Sequence, residues 1–276
     1  MEQQSNLALL YFLVFLFLII ILRLRKIKTA LLDEDADQPT DIVDPVPRRS
    51  LIYKGSDFNF LDDEIIAVLE KYSFYYRNLC PEKKQKFLFR LKQFISKKYF
   101  IIHDEDGYKE MPILICAAAI QISLGLEEYI LPHFSHIHIF PEEFIGISPT
   151  FRFLQGNVSG HCIHLSWKHF LNDIKDISAG ENVGLHEMAH AYYYQNFETR
   201  ENVSKEFVNT FEGFNLYGDK ILKKELEPGN ELYSDYGLRN MYEFWAESIE
   251  LFFEKPAALK YKYPELYDTI KNILKQ

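Results

Sequence analysis

Two histidines at positions i and i+4, with a glutamate directly after the first, could bind a metal ion and activate a water molecule. The segment is His186-Glu187-Met188-Ala189-His190, which matches the H-E-x-x-H pattern that holds zinc on one helical turn. Residues at i and i+4 lie on one helix face, so both imidazoles can reach the same ion. Glu187 could then point at a fourth, water-filled coordination position and act as the general base. An ordinary solvated helix carrying these residues is the alternative interpretation.

The residues around this motif favour a helix. Asn182 can cap a helix that begins at Val183. Leu185 is uncharged, as are the residues between the two histidines, which is expected for a helix buried beneath a metal site. Gly184 disfavours the helix by about 1 kcal/mol, but it falls in the first turn, where this cost matters least.

A catalytic zinc site usually has three protein ligands, so a third ligand must lie further along the chain. The extended pattern H-E-x-x-H-x-x-G-x-x-H fails, because Tyr193 and Asn196 stand where its glycine and third histidine would be. A glutamate from a later helix is the remaining option, and Glu243 and Glu247 lie one turn apart in the segment 240–250. One carboxylate could bind the metal while the other orients a ligand imidazole. A stripe of carboxylates on a solvated helix face is the alternative.

The spacing of apolar residues predicts a mixed α+β domain around these motifs. Helical patterns cover residues 64–79, 81–97 and 112–124, and alternating patterns typical of strands cover 136–140 and 161–165. The predicted order is helices first, then a short sheet beside the H-E-x-x-H helix, and then a helical carboxyl end. One edge of that sheet could pair with an extended peptide substrate.

Histidine and cysteine residues also cluster on the second of the two predicted strands, at His161, Cys162 and His164. Such a group could indicate a second metal site. Strand residues on alternating faces are the favoured explanation, because no matching ligand spacing follows. The sequence therefore predicts one zinc ion per chain.

The two metal-site segments resemble those of the MtfA-type zinc peptidases, whose catalytic core is similar to the protease domain of anthrax lethal factor. The matching segments are residues 180–190 (GENVGLHEMAH) and 236–247 (YGLRNMYEFWAE), the second resembling a Tyr-Gly…Glu-Phe-Phe-Ala-x-x-Glu block. Further agreement lies in residues 116–126, 139–144, 165–167, 253–256 and 264–267. The resemblance covers roughly residues 60–275 and implies a zincin-like fold.

The resemblance also implies a role for each matching residue. The implied zinc ligands are His186, His190 and Glu243; the implied base is Glu187, and the carboxylate that orients a ligand is Glu247. Tyr236 becomes a phenol that donates to the developing oxyanion. Relatives usually continue the second histidine with Gln-Leu-Asp, whereas residues 191–193 here are Ala-Tyr-Tyr. This departure affects the wall of the cleft and leaves the implied ligands unchanged.

The amino-terminal segment has the composition of a membrane anchor. An uninterrupted apolar run extends from Leu7 to Leu22, and basic residues follow it from Arg23 to Lys28. This span approaches the roughly 20 residues that cross a bilayer. No positive charge precedes the run and no Ala-x-Ala site follows closely, which argues against a cleaved signal peptide; an export signal remains the alternative. Basic residues after the run predict a single-pass inner-membrane protein with its carboxyl side in the cytoplasm.

These features divide the sequence into an anchor (residues 1–28), an acidic, proline-containing linker (29–56) and a zinc metallopeptidase domain (57–276). Three cysteines without framework spacing are expected in a reducing compartment. The net charge of −9 argues against nucleic acid as a partner.

Two functions of different class follow from the sequence. The first is a membrane-tethered zinc metallopeptidase acting on peptide or protein substrates. The second is a regulatory module that captures a protein partner such as a transcription regulator, an interaction associated with the MtfA-type proteins. An intact set of Glu187, Tyr236 and Glu243 favours catalysis, because a pure binding module does not need a water-activating glutamate.

Overall fold

The computed structural model describes residues 41–45, 49–104, 107–147, 151–176, 180–199, 205–225 and 232–276. By its internal contacts the chain divides into a small unit (residues 1–43 and 146–152) and a large unit (44–145 and 153–276). The described part of the small unit is extended and belongs to the strands β1 (Asp41–Val43), β5 (Phe144–Ile147) and β6 (Phe151–Leu154), which align in the order β1-β5-β6. All the site residues discussed below belong to the large unit.

The described residues of the large unit form a mixed sheet surrounded by helices, which confirms the predicted α+β class. The strands of the sheet are β2 (Leu51–Lys54), β3 (Tyr99–Ile102), β4 (His136–Phe140), β7 (Gly156–Ser159) and β8 (Cys162–Ser166). The helices are α1 (Asp62–Tyr72), α2 (Phe74–Arg77), α3 (Pro81–Ser96), α4 (Glu110–Ser123), α5 (Trp167–Lys175), α6 (Val183–Phe197), α7 (Lys205–Glu225), α8 (Met241–Glu254), α9 (Pro256–Lys262) and α10 (Pro264–Leu274).

The strands of the large unit lie in the order β2-β3-β4-β8-β7. The three inner strands are parallel, whereas β2 and β7 run antiparallel to their neighbours at the two edges. Side chains alternate between the two faces of each strand, and one face carries the fully buried Ile137, Ile139, Ile163 and Leu165. Helix α6, which bears the H-E-x-x-H motif, contacts both β7 and β8.

Helix α4 is the centre of the helical layer. Its residues from Met111 to Ile120 are all buried, so the helix is apolar on every side, as expected for a core helix. It contacts α1, α3 and α6, and therefore provides the apolar floor on which the motif helix rests.

A buried lysine closes the turn that leads into β4. Lys98 is 1% exposed, and its Nζ donates to the carbonyl oxygens of Ile130, Leu131 and Phe134 at 2.6, 2.8 and 2.6 Å. Replacing Lys98 with Met is expected to lower the free energy of unfolding by about 3 kcal/mol, because buried carbonyls lose a charged donor. Chemical denaturation measures this change, and the exposed neighbour Lys97 offers the matched variant Lys97→Met, with an expected change within about 0.5 kcal/mol. Equal effects of the two substitutions would contradict the structural role of Lys98.

The structure differs from the sequence-based boundaries at two places. The helix predicted over residues 64–79 is interrupted at Ser73, whose extended backbone ends α1 and whose hydroxyl accepts from the Tyr76 amide to cap α2. The linker predicted over residues 29–56 contains β1 and β2, and β2 pairs with β3 rather than remaining solvated chain.

The predicted membrane span, Leu7 to Leu22, lies outside the described residues. Among the residues that are described, no helix combines the length and the apolar character needed to cross a bilayer.

Candidate metal centre

The motif helix α6 begins where its local sequence predicts. The Asn182 side chain accepts from the Leu185 amide at 3.0 Å, which satisfies a backbone donor of the first turn and confirms the predicted cap. The backbone N–H of Asn182 in turn donates to Glu250 Oε2 at 2.6 Å. The start of α6 is therefore fixed both by its own cap and by a carboxylate from α8.

Helix α8 is held across α6 by a second set of local contacts. Asn240 caps α8 by accepting from the Glu243 amide at 2.9 Å. Buried Trp245 donates from its indole Nε1 to the carbonyl oxygen of Ala189, in the middle of the motif, at 2.9 Å. This contact sets the register of the two helices and turns Glu243 toward His186 and His190.

Three side-chain atoms from these helices converge on one point. His190 Nε2 lies 3.0 Å from His186 Nε2, and Glu243 Oε2 lies 3.1 and 3.2 Å from the two nitrogens. A tetrahedral zinc ion with bonds of roughly 2.0–2.1 Å needs donor atoms about 3.3 Å apart, so this triangle fits zinc. Two imidazoles and one carboxylate are also a donor set of catalytic zinc sites, which leave the fourth position open.

The imidazole of His186 is oriented by Glu250, a residue that the sequence analysis did not select. Its Nδ1 lies 2.6 Å from Glu250 Oε1, whereas Glu247 accepts from the Ser234 amide and hydroxyl at 2.7 and 2.9 Å. The prediction that Glu247 orients a ligand imidazole therefore differs from the structure, which places Glu250 there. Burial acts to lower the pKa of His186, but Glu250 and Glu243 raise it well above its ordinary value.

This difference gives a matched pair of substitutions. Replacing Glu250 with Gln is expected to weaken zinc affinity roughly 10–100-fold, because the charge that holds His186 in place is lost. Replacing Glu247 with Gln should leave zinc affinity close to that of the unmodified protein. Competition with a chromophoric chelator measures both dissociation constants. A larger loss in the Glu247 variant would restore the assignment made from sequence.

The second histidine is oriented by an aromatic ring instead of a carboxylate. His190 stacks on Tyr242 with ring centroids 3.8 Å apart and planes inclined by 16°. Its buried Nδ1 has no hydrogen-bond partner among the described residues. The two imidazoles are thus held by different means, one by charge and one by stacking.

Glu187 lies beneath the edge strand of the sheet. Its side chain is buried, and burial raises the pKa of its carboxyl to about 8. A Cβ atom added to Gly156 in β7 would lie 2.4 Å from Glu187 Oε1, too close for any unstrained contact. The glycine therefore allows the backbone of β7 to approach the carboxylate directly.

Tyr236 stands at the open side of the centre. Its hydroxyl donates to Glu243 Oε1 at 3.1 Å, and its side chain is half exposed, so the phenol bridges the donor triangle and solvent. The structure thus brings together His186, Glu187, His190, Tyr236 and Glu243, all of which were selected from the sequence.

Comparison with known proteins places this chain in a family. The model of the glucose-regulated metallopeptidase M90 family matches residues 53–275. The chain belongs to this family. M90 membership confirms the predicted resemblance to the MtfA-type zinc peptidases. It identifies the chain as a member of a metallopeptidase family and implies a metal ion, typically zinc.

The chain is also similar to an uncharacterised protein of Synechocystis sp. The two are 24% identical over 214 residues, which covers 71% of this chain and 78% of the relative. The aligned part of this M90 chain is long enough to contain most of the large unit.

A second group of potential metal ligands lies in the sheet of this M90 protein. One nitrogen each from His138 and His164 and the sulfur of Cys162 lie within 4.8 Å of one another. Burial lowers the pKa of His138 to about 4 and that of His164 to about 3. The sequence analysis attributed these residues to alternating strand faces, and the pairing of β4 with β8 is what brings them together.

Proposed function

We propose that this chain is a zinc metallopeptidase in which His186, His190 and Glu243 hold the ion and Glu187 is the general base. The observation that carries the proposal is the triangle of donor atoms with sides of 3.0–3.2 Å, beside a buried glutamate and an edge strand. A regulatory binding module needs neither the donor triangle nor a glutamate at the open position.

The chemistry is divided between the ion and the side chains. Zinc, when bound, supplies Lewis acidity that polarises the scissile carbonyl and makes water easier to deprotonate. Glu187 takes the proton from the attacking water at a carboxylate oxygen and later transfers it to the leaving amine. The Tyr236 hydroxyl, which donates to Glu243 Oε1, turns its proton toward the oxyanion as negative charge develops there.

The edge strand β7 supports a peptide as the substrate. Among the described strands β7 pairs only with β8, so an extended chain could add to the sheet along the outer edge of β7. Gly156 places that backbone against Glu187, which would bring a paired peptide bond next to the base. Backbone pairing of this kind gives affinity with little dependence on side-chain sequence.

Metal removal tests the proposal. Chelation of the detergent-purified full chain is expected to abolish hydrolysis of a mixed peptide library, and zinc added back is expected to restore it. Mass spectrometry of the digested library would also give the cleavage preference. A chain that binds zinc without cutting any peptide would favour the binding module that captures a protein regulator.

The amino-terminal sequence supports a membrane tether for this enzyme. The apolar run from Leu7 to Leu22 and the basic residues after it favour an anchor with the peptidase domain in the cytoplasm. Removing residues 1–28 is expected to move the protein from the membrane fraction to the soluble fraction. Recovery of the truncated chain in the membrane fraction would contradict the anchor.

A further inference from the structure

We propose that His138, Cys162 and His164 form a second zinc site on the face of the sheet that points away from α6. The three side chains provide two imidazoles and one thiolate, and one ligand atom of each lies within 4.8 Å of the others. Nothing in this proposal depends on the peptidase activity.

The register of the sheet explains why the three residues meet. In the parallel pair of β4 and β8, His138 lies opposite His164, and Cys162 lies two residues before His164 on the same face. Side chains alternate along each strand, so Ile163 and Leu165 point the other way, into the core. Two short segments with ligands at alternate positions thus place three donors in one patch.

The same alternation separates this patch from the catalytic helix. Gly156 pairs with Leu165, and a Cβ on Gly156 would meet Glu187 of α6, so that face of the sheet is turned toward α6. Cys162 and His164 are therefore on the opposite face. An ion held there is separated from the substrate by the sheet and would serve the fold, not the reaction.

Hydrogen bonds at Nδ1 of His138 and His164 leave the Nε2 lone pair of each imidazole able to bind a metal ion. His164 Nδ1 donates to the Asn157 carbonyl at 3.4 Å, which leaves the lone pair on Nε2. His138 Nδ1 lies 3.1 Å from His103 Nε2, and His103 Nδ1 lies 3.0 Å from Ser50 Oγ. When each Nδ1 of this pair is the donor, His138 also keeps its lone pair on Nε2. Such outer hydrogen bonds orient the histidines of known metal sites.

The donor atoms select the kind of metal. Thiolate and imidazole ligands favour zinc and other late transition metals, whereas magnesium and calcium prefer oxygen. Zinc in such a site needs donors roughly 3.3–3.6 Å apart, so the three donor atoms, which lie within 4.8 Å of one another, would draw closer when the ion binds. A bound ion would join β4 to β8 by side chains as well as by the backbone.

Cobalt provides a probe that distinguishes this site from the catalytic centre. A thiolate bound to Co²⁺ produces a charge-transfer band in the near ultraviolet, and the triangle of His186, His190 and Glu243 contains no sulfur. The detergent-purified, metal-stripped full chain, titrated with Co²⁺ under reducing conditions, is expected to bind two ions and to show this band. Zinc added afterwards is expected to remove the band.

Variants assign the band to its residues. Cys162→Ser is expected to abolish the band and to reduce the stoichiometry from two ions to one, whereas Cys80→Ser, at an exposed cysteine, should retain both. Replacing Glu243 with Ala should weaken the other ion and keep the band. His138→Gln should raise the cobalt concentration needed for half of the band at least about tenfold. A band that is missing from the unmodified chain, or that survives in Cys162→Ser, would overturn the proposal.

Discussion

Replacing Glu187 with Gln is expected to reduce kcat roughly 10²–10⁴-fold while zinc stays bound, because the amide cannot accept the proton of the attacking water. Glu187 is not a corner of the donor triangle, which is formed by His186, His190 and Glu243. Steady-state hydrolysis of a peptide from the library, together with metal content by mass spectrometry, measures the two quantities separately.

The exposed Glu181, just before the same helix, provides the matched control. Glu181→Gln removes the same charge from the same region and should leave kcat and metal content unchanged. Turnover near normal in the Glu187 variant would exclude this residue as the base. Loss of zinc together with activity would instead mean that Glu187 holds the metal centre together.

The second large effect is expected from a single methyl group on the edge strand. Gly156→Ala should lower kcat/KM about 100-fold, because a Cβ at 2.4 Å from Glu187 Oε1 must displace either the base or β7. The donor triangle is untouched, so zinc affinity should not change. The fall in kcat/KM should therefore result from displacement of the Glu187 carboxylate or of the β7 backbone, and not from loss of the metal.

Gly213 in the middle of α7 provides the comparison. A Cβ there would meet only Thr269 Cγ2 at the ordinary distance of 3.5 Å. Gly213→Ala should keep full activity and raise the free energy of unfolding by up to about 1 kcal/mol, because alanine favours the helix. If Gly156→Ala were as active as Gly213→Ala, the approach of β7 to Glu187 would have no role in catalysis.

The residues of the candidate metal centre could be selected from the sequence because their geometry is largely local. A spacing of i and i+4 places His186 and His190 together in any helix, and Asn182 marks the helix start by its own side chain. The choice between Glu247 and Glu250 is not local. It depends on how α8 crosses α6, which the contact from Trp245 to the middle of α6 helps to fix. Both glutamates follow Glu243 at helical spacings, so the sequence alone could not separate them.

The group of His138, Cys162 and His164 also depends on non-local packing, in this case on the pairing of strands. His138 and His164 are brought together by the register of β4 against β8, and a shift of one residue would turn their side chains to opposite faces. The alternation of apolar residues excludes a one-residue slip, but a slip of two residues would keep the same faces, and the sequence of neither strand excludes it. Strand β2 was missed for a related reason, since a four-residue strand at a sheet edge depends on pairing with β3 more than on its own pattern.

The order β2-β3-β4-β8-β7 also has a consequence for how the molecule can vary. Strand β2 forms one edge of this sheet, and Glu187 lies under β7, at the other edge. Four strand spacings of about 4.8 Å put roughly 19 Å between these edges. At that separation, substitutions in β2 are expected to leave the backbone of β7 in place. Changes in β2 and changes beside Glu187 should therefore add independently in their effects on the protein.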